Sequence, residues 1–262
     1  MDLVQKWTLA ISLVGAAAWI PQLLNYAINY FKKPIVNLIP SALCQIGFTE
    51  LGPIFNLKLA ITADNQSVLL SLIEFDLTHE DTGAKHIFKW HEIVEIKGQM
   101  FIAGMSGQSI SHEVEAVAIK ILTTDFKDVF LKNRLENHTE GVISLDYELS
   151  KERRRLESSN QYNPEQFYAS AIMRNMELFM KSQMIWRKGT YKIKVSLKSN
   201  LDIKLICPEM SFSLADEDVL LLQSNSDSIS KYLKNTCYVT AQMLDKVEKN
   251  NWHWITKKIN KS

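Results

Sequence analysis

TYKIKVSLKS, Thr190–Ser199, decides the fold. Tyr191, Ile193, Val195 and Leu197 fall on one side of an extended chain; Lys192, Lys194, Ser196 and Lys198 fall on the other. A period of two means a strand with one face buried and one in water. Gly189 introduces it, and an Asn200-Leu201-Asp202 turn leads into IKLICPEMSFSL. Pro208 inside that run marks an edge strand or a kink between two strands. SLADEDVLLL then begins a helical pattern, with Ser213 or Asp216 as cap.

The same alternation appears far upstream. In PIFNLKLAIT, Phe55, Leu57, Leu59 and Ile61 alternate with Asn56, Lys58, Ala60 and Thr62. A turn at residues 63–66 leads to a second, more buried strand, SVLLSLIEFDLTHE. Asp81-Thr82-Gly83 is a hairpin corner before KHIFKWHEI. ALCQIGF and AVAIKILT are further strands, and the glycine- and serine-bearing stretch 98–111 reads as a loop. DYELSKERRRLE is rich in charge and in helix formers. Asn163-Pro164-Glu165-Gln166 is a helix start, and a Tyr168, Ile172, Met176, Phe179, Met180 stripe carries that helix to about Met184. Strands that return after a helical interruption predict an α+β, mainly β architecture: an antiparallel immunoglobulin-like β-sandwich with added helices.

At the other end of the chain, residues 7–31 contain no charged side chain. As a helix they would reach about 37 Å, against roughly 30 Å of bilayer hydrocarbon. Trp7, Leu9, Ile11, Leu13, Val14, Trp19, Ile20, Leu23, Leu24, Ile28 and Phe31 form the apolar body; Lys32, Lys33 and Pro34 stop it. A cleaved signal fits less well, because Asp2 stands in the leading stretch and the apolar run continues past Ala16-Ala17-Ala18. An amphipathic surface helix suits only the second half, from Ile20. Gln22, Asn25 and Asn29 share a polar face that would let the helix self-associate. Lys32 and Lys33, with no acid before Glu50, place the carboxyl-terminal domain in the cytoplasm.

Three domains follow: an anchoring helix at 1–34, a sandwich at 35–226 with a helical insertion at about 147–186, and a helical tail at 227–262. The tail ends in NNWHWITKKINKS. Trp252 and Trp254, with Lys257 and Lys258, are candidates for a return contact with the membrane surface.

The chain has 262 residues, 46% hydrophobic and 23% charged, which is ample for a core. A net charge of +1 argues against a nucleic-acid partner. Cys44, Cys207 and Cys237 are odd in number and far apart, which suits reduced, buried thiols. His86 and His91 have opposite parity on one strand, so His79, His86 and His91 do not converge on a metal. No phosphate-binding or nucleophile motif occurs, and no cofactor is expected. Gly104-Met-Ser-Gly107 is a loop, Arg153-Arg154-Arg155 is balanced by Glu148, Glu152 and Glu157, and Met173, Met176, Met180 and Met184 fill a helix face. The expected function is a single-pass membrane protein whose cytoplasmic domain binds a protein partner or ligand without catalysis. Its partners would be membrane lipid and a protein, or a second copy of the chain. The alternatives are an effector that senses a small ligand and assembles in the membrane, and an enzyme using His112 and Glu113.

Overall fold

The computed structural model describes residues 15, 17–24, 32–100 and 108–261. Seven strands run from Ile35 to Leu135, the upstream ones predicted from alternation among them. They are β1 (Ile35–Thr49), β2 (Gly52–Asp64), β3 (Val68–His79), β4 (Lys85–Met100), β5 (Gln108–Glu115), β6 (Ile119–Ile121) and β7 (Phe126–Leu135). Three helices follow: α1 (Glu136–Ser158), α2 (Pro164–Tyr168) and α3 (Ala171–Ser182). The chain then forms β8 (Gly189–Ser199), β9 (Lys204–Ile206), β10 (Met210–Leu214), α4 (Asp216–Thr240), β11 (Trp254–Lys258) and β12 (Asn260–Lys261).

All twelve strands belong to one hydrogen-bonded sheet, in the order β11-β1-β2-β7-β4-β3-β8-β10-β12, with β5, β6 and β9 alongside β4, β3 and β1. The two separate facing sheets of an immunoglobulin-like sandwich are therefore not seen. Instead the sheet curls. Phe55 on β2 stacks on Phe212 of β10 at 5.8 Å, although four strands separate them in the sheet. The last stretch meets both edges: β11 pairs with β1, and β12, just past Ile259, pairs with β10. Inward residues of opposite walls thus pack as two sheets would, which is why alternation alone suggested a sandwich. Tyr191 and Phe212 stack at 5.1 Å, and Trp186 lies against Phe88, Tyr191 and Phe212. The core begins at Val36; none of residues 17–24 belongs to it.

Several expectations shift. Both flanks of the expected 98–111 loop are strand, because β4 runs to Met100 and β5 begins at Gln108; residues 101–107 lie outside the described residues. The helical insertion begins at Glu136 rather than near 147. The single helix from Pro164 divides. Asn163 caps α2 by accepting from the Glu165 and Gln166 N–H groups, but Ser170 accepts from the Met173 N–H and starts α3 afresh. The tail is helical to Thr240 and for a short turn at Leu244–Lys246, and then becomes the closing strands rather than a helix.

The ends of the curled sheet differ. The register places Thr49, Gly52, Leu135, His79, Gly189 and Leu214 at one end, where α1 to α4 gather. Gly52 there has φ +78°, and a Cβ on it would come within 2.4 Å of the His138 ring, so glycine allows α1 to close over the β1–β2 turn. The other end carries the turns at 65–67, 122–125 and 200–203 and the entry of the chain into β1. Residues 32–34 are tied there: Lys33 pairs with Asp202, the Asn65 amide donates to the Lys33 carbonyl at 2.9 Å, and the Lys204 N–H donates to the Pro34 carbonyl at 2.9 Å.

Candidate functional site

Of the residues expected to form the membrane helix, Trp19, Ile20, Leu23 and Leu24 are described. They are helical, with side chains 52–65% exposed. Trp7, Leu9, Ile11, Leu13, Val14, Ile28 and Phe31 lie outside the described residues, as do Asn25 and Asn29 of the polar face; Gln22 is helical and exposed. Among the described residues no helix is long and apolar enough to cross a membrane.

The end of the sheet where the chain enters β1 is unusual in composition. Leu69, Val117, Leu122, Phe126 and Leu201 are exposed on its turns and strand tips, Val117 at 74% and Phe126 at 62%. Exposed lysines stand among them: Lys33, Lys120, which pairs in register with Leu69, Lys198 and Lys204. Single exposed apolar residues are ordinary; several at one end, with lysines between, make a candidate surface. Alternation could not single these residues out, because each sits at a strand tip or turn where the period is lost. An apolar side chain inside an otherwise polar turn is the signal that would have found them.

Trp252, Trp254, Lys257 and Lys258 lie elsewhere. Trp254 opposes Gly47 in the β1–β11 ladder, and a Cβ on Gly47 would come within 2.6 Å of its ring. Trp252 packs against the core. Lys257 forms a 2.5 Å ion pair with Asp218 at the start of α4. The Asn225 amide holds this segment down: it donates to the Phe48 and His253 carbonyls at 2.8 and 2.9 Å and accepts from the His253 N–H at 2.8 Å. The two tryptophans therefore sit towards the helical end, away from the entry of the N-terminal segment.

His79 and His138 serve the fold. His79 Nε2 lies 2.8 Å from the Lys188 carbonyl, and its Nδ1 accepts from the Thr82 N–H at 3.3 Å, fixing the β3–β4 corner. Burial, reinforced by Arg134, lowers the His138 pKa to about 4. Glu113 makes a 2.7 Å ion pair with Lys132, which also reaches Glu92; the His112 side chain is outside the described set. Among the described residues no group of three or more His, Cys, Asp or Glu is placed to hold a metal. The loop at Gly104–Gly107 is also outside them. Cys44 is buried, which pushes its thiol up to about 12. Arg155 pairs with Glu152 on α1, as the charge balance predicts.

Three concavities stand out. The first, about 640 Å³, lies where β8 outruns β10, and is lined by Asp76, Lys192, Lys194, Cys207, Ser211 and Lys261. Asp76 faces Lys194 across the ladder, yet its buried Oδ1 has no hydrogen-bond partner. The second, about 730 Å³, is an open groove between α1 and α2 lined by Glu148, Lys151, Arg155 and Gln166. The third is smaller and more enclosed, about 250 Å³ beneath α1, α3 and α4. It is walled by Met173, Met176, Met180 and Leu233, with Glu50, Asp146, Arg153 and Tyr232 around it. Met173, Met176 and Met180 are core residues, as their spacing predicted, and they line this cavity as well. Glu50 and Tyr232 were not anticipated, since nothing in sequence brings a β-turn acid to a helix 180 residues later.

No protein-family model, curated protein or solved structure matches this chain.

Proposed function

We propose that the protein is a single-pass membrane-anchored binding module, with residues 7–31 as the anchor and the curled β-domain as a non-enzymatic interaction domain in the cytoplasm. One observation carries the reading. The core of the β-domain is complete from Val36 onward, while Trp19, Ile20, Leu23 and Leu24 offer their apolar surface to no part of it. Leaving such side chains in water forgoes about 1.5–3 kcal/mol each, so lipid is the environment that this segment's composition suits.

The composition of the sheet end next to residue 32 supports the same reading. A domain tethered at that point meets the bilayer first with Leu69, Leu122, Phe126 and Leu201, and with the lysines between them. Apolar tips enter the headgroup layer, and each lysine near an anionic leaflet gains about 1 kcal/mol. Trp252 and Trp254 are replaced in this role by the turns, because the closing strand holds them at the other end. Gln22, Asn25 and Asn29 remain the residues through which anchors would associate.

The test is fractionation. The full chain is expected in the membrane pellet and resistant to alkaline carbonate, whereas a chain beginning at Lys33 is expected in the supernatant. A full chain that behaves as a detergent-free monomer would refute the anchor.

A further inference from the structure

We infer that the cavity beneath the helices is a binding site for a small linear zwitterion, an ammonium group joined by a short apolar chain to a carboxylate, held between Glu50 and Asp146 at one end and Arg153 at the other. This goes beyond the anchored-module reading and does not depend on it, because the cavity lies at the end of the sheet opposite the one where residues 32–34 enter β1.

The cavity is polar at two poles and apolar between them. Asp146 and Arg153 both stand on α1, seven residues apart, so about 10 Å of helix separates their positions along one side of the cavity. Asp146 shares its pole with Glu50 from the β1–β2 turn and Tyr232 from α4. Burial, then the charges of Glu50 and Asp146, raise the Tyr232 pKa, which puts both carboxylates near that phenol. At the other pole the Arg153 charge acts on Tyr162 and Cys237. The sulfur-bearing side chains of Met173, Met176 and Met180 line the space between, and thioethers adapt their shape to an aliphatic chain.

The carboxylate pole is incomplete. Glu50 Oε2 is buried and has no hydrogen-bond partner. No ion pair among the described residues involves Glu50, Asp146 or Arg153. A buried carboxylate oxygen without a donor is costly, and an ammonium supplies three donors and the opposite charge. The Tyr232 ring beside it is suited to the same cation. The volume, about 250 Å³, equals that of roughly eight water molecules. A ω-amino acid such as 6-aminohexanoate has a similar number of heavy atoms and a length that spans the two poles. A ligand carrying only one charge would leave one pole unanswered.

The experiment is calorimetric titration of the full chain, in mild detergent, with 6-aminohexanoate, hexylammonium and hexanoate. The zwitterion is expected to bind at least about tenfold more tightly than either half-ligand, a difference of about 1.4 kcal/mol. Glu50→Gln and Arg153→Gln are each expected to remove that advantage while leaving the far-ultraviolet circular dichroism unchanged. Arg153→Gln is the safer variant for folding, because it removes no buried acid. The inference is overturned if no ligand binds at concentrations up to about 1 mM, where binding is worth about 4 kcal/mol. It is equally overturned if a half-ligand binds as tightly as the zwitterion, or if both variants bind as the parent does.

Discussion

The two ends of the curled sheet treat exposed strand tips in opposite ways. At the helical end, α1 and α4 start directly from β7 and from the Ala215 hinge after β10, where the Ala215 N–H donates to Asp218 at 2.7 Å. The Trp186 indole donates to the Gly47 carbonyl at 2.9 Å, Asn225 ties α4 to β1, and His138 closes over Gly52. At the entry end, among the described residues, no helix follows a strand. Short turns expose Leu122, Phe126 and Leu201, and the bonds made there fasten residues 32–34. Stability is thus invested at one end, and surface is presented at the other. Substitutions at the two ends should differ in kind as well as size.

The largest effect belongs to the helical end. Trp186 is 1% exposed and touches three aromatic rings. Trp186→Ala should lower unfolding free energy by about 3–5 kcal/mol in denaturant titration. A loss below about 1 kcal/mol would mean that the opposing walls do not pack as described. Next comes acid. The His138 pKa is about 4 in the fold and 6.5 as a free side chain, so the unfolded chain binds the proton more tightly. The stability that depends on neutral His138 is complete above about pH 6.5, declines as the pH falls, and is fully lost below about pH 4. The loss amounts to about 3 kcal/mol at most. His138→Phe should flatten the pH–stability curve between those values; an unchanged curve would show that His138 is not buried neutral.

A smaller loss should follow from Asn225→Ala, which leaves two carbonyls and one N–H without their partner. About 1–3 kcal/mol is expected. Protection of the His253 amide from hydrogen exchange should fall with it. If only global stability drops and His253 keeps its protection, the closing strand is held by its ladder to β1 and not by α4.

Much of the fold was legible in sequence, but unevenly, and the difference between the ends was not. Tyr191 to Leu197 and Phe55 to Ile61 announce strands because burial of one face imposes a period of two. Asn163-Pro164 announces a helix start because capping is local. Curling is not local. It rests on contacts such as Phe55 with Phe212 and on β11 and β12 meeting opposite edges, and alternation is the same in a sandwich and in a curled sheet. WITKK reads as a tail because its partners, Leu43 to Gly47, lie over 200 residues away. β7, FKDVFLKNRL, escaped notice because Lys132 and Arg134 are outward charges and the inward Asn133 breaks the apolar series. Only in three dimensions does that asparagine find a partner, its amide N–H donating to the Phe55 carbonyl at 2.6 Å, while its buried Oδ1 has none. The cavity at Glu50 was illegible for the same reason: its acid, its tyrosine and its methionines come from three separate parts of the chain.

The smallest stability change tests the other end. Phe126→Ser with Leu201→Ser removes two exposed side chains and should alter unfolding by no more than about 0.5 kcal/mol. Its consequence should appear only beside lipid. An environment-sensitive dye on Thr124→Cys, in the exposed β6–β7 turn, should shift to the blue when the full chain sits in nanodiscs of anionic lipid. The shift should shrink in the double serine variant, and again when Lys120 and Lys198 are changed to Glu, because apolar insertion and lysine attraction act on the same surface. A chain that enters the nanodisc but gives no shift keeps its anchor and refutes the contact. A chain that never enters refutes both, and the exposed apolar turns then need another cover. The unequal ends of one sheet would in that case mark a docking face for protein rather than for lipid.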